Sequence, residues 1–306
     1  MEELNHGGPD GARLRLARWT QAMTATRPCM LCGDSRTRPA LSHGHYSYVR
    51  CSGCGLLAVR PFPEPQELLA VYDDPVEPAV DPSLDPSGEA AVHRVRFSEE
   101  IDRIEALRPR GTVLDIGCAW GFFLALCRER GWEAKGVDLS RVQAEYARRR
   151  FGLDVFTGTL RAARFPDGCF DVVTLWHVFE HFHDRLAELM EVRRILKRDG
   201  TVVIAVPTPN SAADYVFQSL PLHLYYYDEG TLGQVLGRAG FRVVRIRRGG
   251  GTGVMSLVRK IGLDDPRKLI GSHLAFLWKA KKIVQRARCI ASVHKEITVY
   301  AVPART

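Results

Sequence analysis

The chain has no apolar run long enough to cross a bilayer. Its first residues, Met1-Glu2-Glu3, are acidic where a secretory signal needs basic residues followed by an apolar core. Both absences argue against a membrane-spanning or exported protein and set the expectation of a cytoplasmic one. Acid is also in short supply: 35 Asp and Glu face 43 Lys and Arg, a formal net charge of +8. That balance admits anionic partners (a charged small molecule, nucleic acid or an anionic lipid surface) and equally a basic face that is simply solvated. The G-x-G-x-x-G spacing with which dinucleotide folds seat a pyrophosphate is missing as well.

What is present is ordinary for a globular protein of two or three domains: 306 residues, 45% of them apolar and 25% charged. The eight cysteines read as metal ligands or buried thiols before disulfides, given a reducing compartment. Four of them form two C-x2-C knuckles, Cys29-Met30-Leu31-Cys32 and Cys51-Ser52-Gly53-Cys54, with 18 residues between. Each knuckle turns two thiolates toward one point, so two knuckles close a tetrahedron with no position left for water, the form of a structural zinc site. Gly33 and Gly55, just past the knuckles, supply the positive φ such turns need. His43 and His45 stand between the knuckles as competing ligands. The other four, Cys118, Cys127, Cys169 and Cys289, read as buried small hydrophobes.

The chemistry centres on Val113-Leu114-Asp115-Ile116-Gly117-Cys118-Ala119-Trp120-Gly121. A short apolar strand breaks at glycine and re-forms as a helix, which brings bare backbone N–H groups close to a ligand. Asp115, two residues before the first glycine, would repel a pyrophosphate but suits a ligand carrying positive charge. S-adenosylmethionine, with a sulfonium and an ammonium group and no phosphate, meets that demand. The next strand ends in Val137-Asp138-Leu139-Ser140, placing Asp138 where an acidic side chain can accept both hydroxyls of a ribose.

D-x-G-x-x-x-G followed by V-D-x-S resembles the cofactor site of class I S-adenosylmethionine-dependent methyltransferases. The resemblance continues through "FDVVTLWHVFEH", "VRRILKRDGTVVIAVP" and "LHLYYYDEGTLGQVLGRAGF", from about Gly111 to Arg248. With the knuckles and "RPFPEPQELLAVY" ahead of it, the chain is similar to bacterial zinc-ribbon methyltransferases of sugars and small metabolites, without the extra C-terminal domain of the sugar C-methyltransferases. The fold this implies is α/β, a doubly wound, seven-stranded Rossmann-like methyltransferase sheet with a small N-terminal zinc ribbon. Strands are expected at 112–117, 134–139, 153–157, 170–176, 201–206, 241–247 and 296–302, the last two as an antiparallel pair. The divisions expected are a flexible N-terminus (1–27), the ribbon (28–60), a linker or lid with a lead-in helix (61–108), and the methyltransferase domain (109–306). The last carries a helical insertion at about 251–294. Its helix, Pro266 to Arg288, sets an apolar face beside basic residues and can dock on an anionic membrane or partner, or pack on the sheet edge.

For the cofactor, the resemblance implies Asp115, Gly117, Cys118, Trp120, Gly121, Asp138 and Leu139, with Thr159 and Leu160 near adenine and Trp176 and His177 in the same pocket. Glu180 and His181 match a Glu-His pair that abstracts protons in sugar C-methyltransferases; they act here as base or as supports of the loop. His177 to His181 also reads as H-x-x-E-H, a zinc-peptidase pattern, but that pattern needs a helix, and a β-rich run leads straight into it. Tyr72, His223 and Tyr226 are placed toward the acceptor, with a packed aromatic loop as the alternative for the last two. Methyl transfer to a small polar metabolite, sugar, nucleotide-sugar or natural-product intermediate is the expected activity, with S-adenosylmethionine and structural Zn2+ as cofactors. An RNA methyltransferase is the competing enzyme reading, but the ribbon shows no aromatic-and-basic repeat that stacks bases. A cofactor-binding scaffold without turnover is the third.

Overall fold

The computed structural model describes residues 28–43, 46–64, 68, 90–209, 222–249 and 296–304. The segments holding Tyr72, His45, Cys289, the lid and helix 266–288 lie outside the described residues, as does the side chain of His43.

Three short strands open the fold: β1 (Thr37–His43), β2 (Tyr46–Cys51) and β3 (Leu57–Arg60), paired antiparallel in that order. Helix α1 (Ala90–Glu105) follows. The main sheet then alternates strand and helix: β4 (Thr112–Ile116), α2 (Phe122–Glu129), β5 (Glu133–Asp138), α3 (Arg141–Phe151), β6 (Asp154–Thr157) and β7 (Phe170–Trp176). Next come α4 (Arg185–Ile195), β8 (Leu196–Pro207), the two-residue β9 (Tyr225–Tyr226), α5 (Glu229–Arg238), β10 (Phe241–Gly249) and β11 (Glu296–Pro303).

The large sheet runs β10-β11-β8-β7-β4-β5-β6. Five strands are parallel; β11 is antiparallel to β8, and β10 to β11. All seven expected strands are therefore present, and the last two form the expected antiparallel pair. The central strands are nearly continuous apolar runs because helices cover both faces. Local chemistry sets the helix ends. The Ser140 hydroxyl accepts from Gln143 N to start α3, and Gly152, at φ 61°, stops it. Asp184 caps α4 and Asp228 makes a capping box with Thr231 on α5.

The small sheet does not stand alone. Strand β9, from the loop after β8, pairs with β3 and becomes its fourth strand, in the order β1-β2-β3-β9. Leu31, Tyr48, Leu57 and Val59 share one continuous buried cluster with Ile116, Phe179, Leu189 and Leu224 of the large domain. The ribbon and one face of the main sheet thus have a common core. On the opposite face, Phe97, Ile101 and Ile104 of α1 pack with Phe123 and Trp176.

Candidate functional site

After β4 the backbone takes three positive φ angles in five residues, at Gly117 (69°), Ala119 (47°) and Gly121 (78°). A Cβ on Gly117 would sit 2.3 Å from a methyl of Val178, so the turn can close against the loop after β7 only without a side chain there. Asp138, at the end of β5, ties the neighbouring turns together. Its Oδ2 accepts from Ala119 N at 2.7 Å and its Oδ1 from Ser140 N at 2.8 Å.

These strand ends surround a cavity of about 610 Å3, within the range that takes a cofactor-sized molecule. Of the residues expected to hold S-adenosylmethionine, Gly117, Asp138, Leu139, Thr159, Leu160, Trp176 and His177 line it, and His181 opens onto it beside them. Sequence reasoning missed Gln143, Phe182, His183, Asp184 and Glu188, which also line it. They lie in loops and first helical turns that carry no pattern of their own.

Four expected cofactor contacts are not in the lining, and each has a packing reason. Asp115 is buried behind the wall, where its Oδ1 accepts from the Thr174 hydroxyl at 2.6 Å. Burial pushes its carboxyl well above the usual range, and the charge of Asp138 adds to the effect against the Thr174 bond. Asp115 does not line the cavity, whereas Asp138 does. Cys118 is buried below the turn, where a Cβ on Gly136 would come within 2.7 Å of its sulfur. Trp120 packs edge-on against Tyr146 at 5.3 Å. Gly121 lets α2 approach α3, since a Cβ there would lie 2.8 Å from that of Ala147.

The loop after β7 is a strand end followed by one 3-10 turn, Phe179–His181, so the H-x-x-E-H residues share no α-helical face. That excludes the peptidase geometry. His177 itself has φ 56°, a strained conformation that points to a constrained site. Its Nε2 lies 2.9 Å from Glu296 Oε2, and its Nδ1 is 3.6 Å from Glu180 Oε1. Arg96 Nη2 meets the same Glu296 oxygen at 3.0 Å. Burial alone would lower the His177 pKa, but the two carboxylates outweigh it and raise the ring to about 9. The Arg96–Glu296–His177 contact joins positions as much as 200 residues apart, and nothing local in the sequence signals it.

Glu180 is fully buried, and neither carboxylate oxygen has a hydrogen-bond partner. Burial acts to raise its pKa, but His177 and the fields of His181 and His223 outweigh this and hold it below the ordinary value. His223 Nε2 lies 4.0 Å from Glu180 Oε1, and the His181 and His223 rings meet edge-on at 4.8 Å. His181 Nδ1 is 2.8 Å from the Leu222 carbonyl, to which it donates, leaving Nε2 as the ring's lone-pair nitrogen. Glu180 does not cap the following helix; Asp184 does.

His223 and Tyr226, expected toward the acceptor, are buried and absent from the cavity lining. The cause is β9, which draws Tyr225, Tyr226 and Tyr227 between the ribbon and the main sheet.

In the ribbon, the sulfurs of Cys29, Cys32, Cys51 and Cys54 all lie within 4.8 Å of one another, with 3.6 Å between Cys29 and Cys54 and 3.4 Å between Cys32 and Cys51. A tetrahedral Zn–S4 centre separates its sulfurs by roughly 3.8 Å, so the four could hold zinc with little movement. Gly33 and Gly55 have φ of 79° and 83°, and their amides bond back to Cys29 and Cys51 O.

A family model described as a methyltransferase domain matches residues 91–246, just over half of the chain. The chain belongs to this family. The methyltransferase is 30% identical over 135 residues to a "probable S-adenosylmethionine-dependent methyltransferase" of Mycolicibacterium smegmatis, covering 43% of this chain and 52% of that one. It is 30% identical over 125 residues to the ubiquinone biosynthesis O-methyltransferase of Pseudomonas paraeruginosa, covering 36% and 53%. The chain thus spans about half the length of these curated relatives. Among solved structures, it resembles a geranyl diphosphate C-methyltransferase from Streptomyces coelicolor, with 14% identity, a TM-score of 0.52, and coverage of 78% of this chain and 98% of that one. That likeness concerns the fold of the methyltransferase. Among its described residues no helix is long and apolar enough to cross a membrane.

Proposed function

We propose that the protein transfers a methyl group from S-adenosylmethionine to a small polar acceptor. The observation that carries this reading is the single cavity wall on which Gly117, Asp138 and His181 meet. Asp138 would take the ribose hydroxyls, Thr159 and Leu160 the adenine, and the bare backbone at Gly117 the amino-acid end. When bound, this cofactor supplies a methyl carbon already activated by sulfonium. The chain's contribution is then alignment and activation of the acceptor. His181 is the activating group, because its Nε2 keeps a lone pair on a residue that lines the cavity; Glu180, buried behind it, sets its electrostatics. The ribbon cysteines would hold one structural zinc.

Relatives named for ubiquinone, 2-methyl-6-phytyl-1,4-hydroquinone and demethylmenaquinone methylation support a small-molecule acceptor bearing a ring hydroxyl, alongside the sugars and natural-product intermediates expected from sequence. The test is transfer of labelled methyl from S-adenosylmethionine into a metabolite extract, with the labelled product identified by mass. Label entering RNA instead, with binding that weakens steeply as salt rises, would replace this reading with the nucleic-acid one. No transfer to either, with cofactor binding intact, would leave a scaffold.

A further inference from the structure

The geometry points to a second metal site, for a first-row divalent cation, formed by Glu180, His181 and His223 at the inner end of the cofactor cavity. One donor atom from each of the three lies within 4.8 Å of the others. A cation held at about 2.0–2.2 Å by imidazole nitrogen and carboxylate oxygen requires only a small inward shift from that spacing. Nothing in this constellation depends on the ribbon cysteines, and its chemistry differs from theirs. Two nitrogens and one oxygen are the two-histidine, one-carboxylate set that suits Mn2+, Fe2+, Co2+ or Zn2+ and leaves coordination positions open.

Three independent features fit a ligand role better than a packing role. Glu180 is 0% exposed and neither oxygen makes a hydrogen bond, its nearest basic group being His177 Nδ1 at 3.6 Å; a coordinated cation would supply the direct partner that this buried carboxylate lacks. Each histidine, moreover, has its other ring nitrogen already engaged. His181 Nδ1 donates to Leu222 O at 2.8 Å, and His223 Nδ1 lies 3.1 Å from the Tyr226 hydroxyl. For His181 this contact puts the proton on Nδ1 and presents Nε2 as the ligating atom. Finally, the backbone is clamped from both sides, with Leu224 N donating to Glu180 O at 2.9 Å and the Tyr48 hydroxyl donating to His223 O at 2.7 Å.

The inference deepens the methyl-transfer reading and rests on it for the cation's purpose. Of the three, His181 lines the cavity, so an acceptor hydroxyl would reach the cation from that side, and His181, with its lone pair on the cation, would activate it through the metal and not as a free base. Coordination would lower the pKa of that hydroxyl, and its proton would leave to solvent. The oxygen lone pair would then form the C–O bond as the methyl–sulfur bond breaks, its electron pair staying on sulfur. The favoured acceptors are therefore hydroxyl-bearing molecules, those with two adjacent oxygens above all.

The test is Mn2+ binding to the full chain with its ribbon zinc in place, followed by loss of the free-ion electron-paramagnetic signal. Mn2+ prefers oxygen and nitrogen donors and does not compete for thiolates. One Mn2+ per chain is expected, with affinity reduced at least tenfold in His181→Gln and in His223→Gln and abolished in Glu180→Gln. His181 borders the cavity and keeps the proposal testable should Glu180→Gln or His223→Gln fail to fold. Wild-type protein that takes up no Mn2+ at millimolar concentration, or a His181→Gln variant that binds it as tightly as wild type, overturns the site. Because binding is read without turnover, a failed methyl-transfer assay alongside intact Mn2+ binding would sink the functional reading and leave the site standing.

Discussion

The Tyr48 hydroxyl donates to the main-chain carbonyl of His223 across 2.7 Å of buried space and 175 residues of chain. The ribbon thereby fixes the backbone of a residue that faces Glu180. Tyr48→Phe should cost about 1–3 kcal/mol, because the buried carbonyl loses its partner. Chemical denaturation checks the stability, and turnover should fall with little change in affinity for S-adenosylmethionine. An unchanged rate would mean that the ribbon does not support the site.

Asp138→Ala should weaken S-adenosylmethionine binding by about 1.5–3 kcal/mol, the worth of a hydrogen bond to a charged acceptor. Asp115→Asn should change it far less, since that carboxyl is held toward its neutral form behind the wall. Calorimetry on both variants decides between them. Equal losses would return Asp115 to the cofactor.

A methyl group on Gly117 meets both a clash with Val178 and a φ of 69°. Gly117→Ala should therefore lower cofactor affinity and melting temperature together. Adding Val178→Ala removes the clash but leaves the left-handed backbone, worth about 1–2 kcal/mol against alanine. Full recovery in the double variant would show that backbone conformation is not at issue.

Asp171 provides a pH-dependent contribution to stability. Burial works to raise its pKa, but Lys197 Nζ at 2.8 Å, Thr112 N at 2.9 Å and Arg108 Nη2 at 3.3 Å outweigh this and lower it. A depressed carboxyl stabilises the fold fully above its unfolded value of about 3.9 and loses that contribution as pH falls through the folded value. The stability gap between wild type and Asp171→Asn should thus be constant from pH 5 to 8, taken as roughly one unit above that value, and shrink below pH 4. A gap independent of pH would assign it to packing.

Cys29→Ser/Cys51→Ser should lose one zinc per chain by elemental analysis and loosen β9 with the ribbon, because β3 and β9 pair directly. The rate should fall with the metal. Retention of stoichiometric zinc would place the metal elsewhere.

The centre of the main sheet was legible because β4, β7 and β8 carry apolar runs, and α1 because Val95, Ile101 and Ile104 recur on one helical face. The Cys knuckles were legible because ligand spacing is local. Strand β9 was not, for two tyrosines make no run and their partners Leu57 and Ala58 lie far back in the chain. Asp115 read as an anion facing the ligand because the burial that raises its pKa comes from the assembled sheet, which no local pattern shows. The link between His177 and Glu296 was equally hidden, as β11 brings in the carboxylate from the far end of the chain. Tyr72 and helix 266–288, which sequence singled out, fall outside the described residues.

The pairing of Leu57 with Tyr226 also has a consequence on the ribosome. Strand β3 is synthesised well before its outer neighbour, and at about 5–20 residues per second its edge stays open for on the order of 10–30 s. During that interval the ribbon offers unpaired backbone groups to any other chain, the usual start of edge-to-edge aggregation. Early zinc loading would rigidify the knuckles while β3 waits. Cells starved of zinc during synthesis should then accumulate this protein in inclusion bodies, even where zinc restored later no longer rescues it.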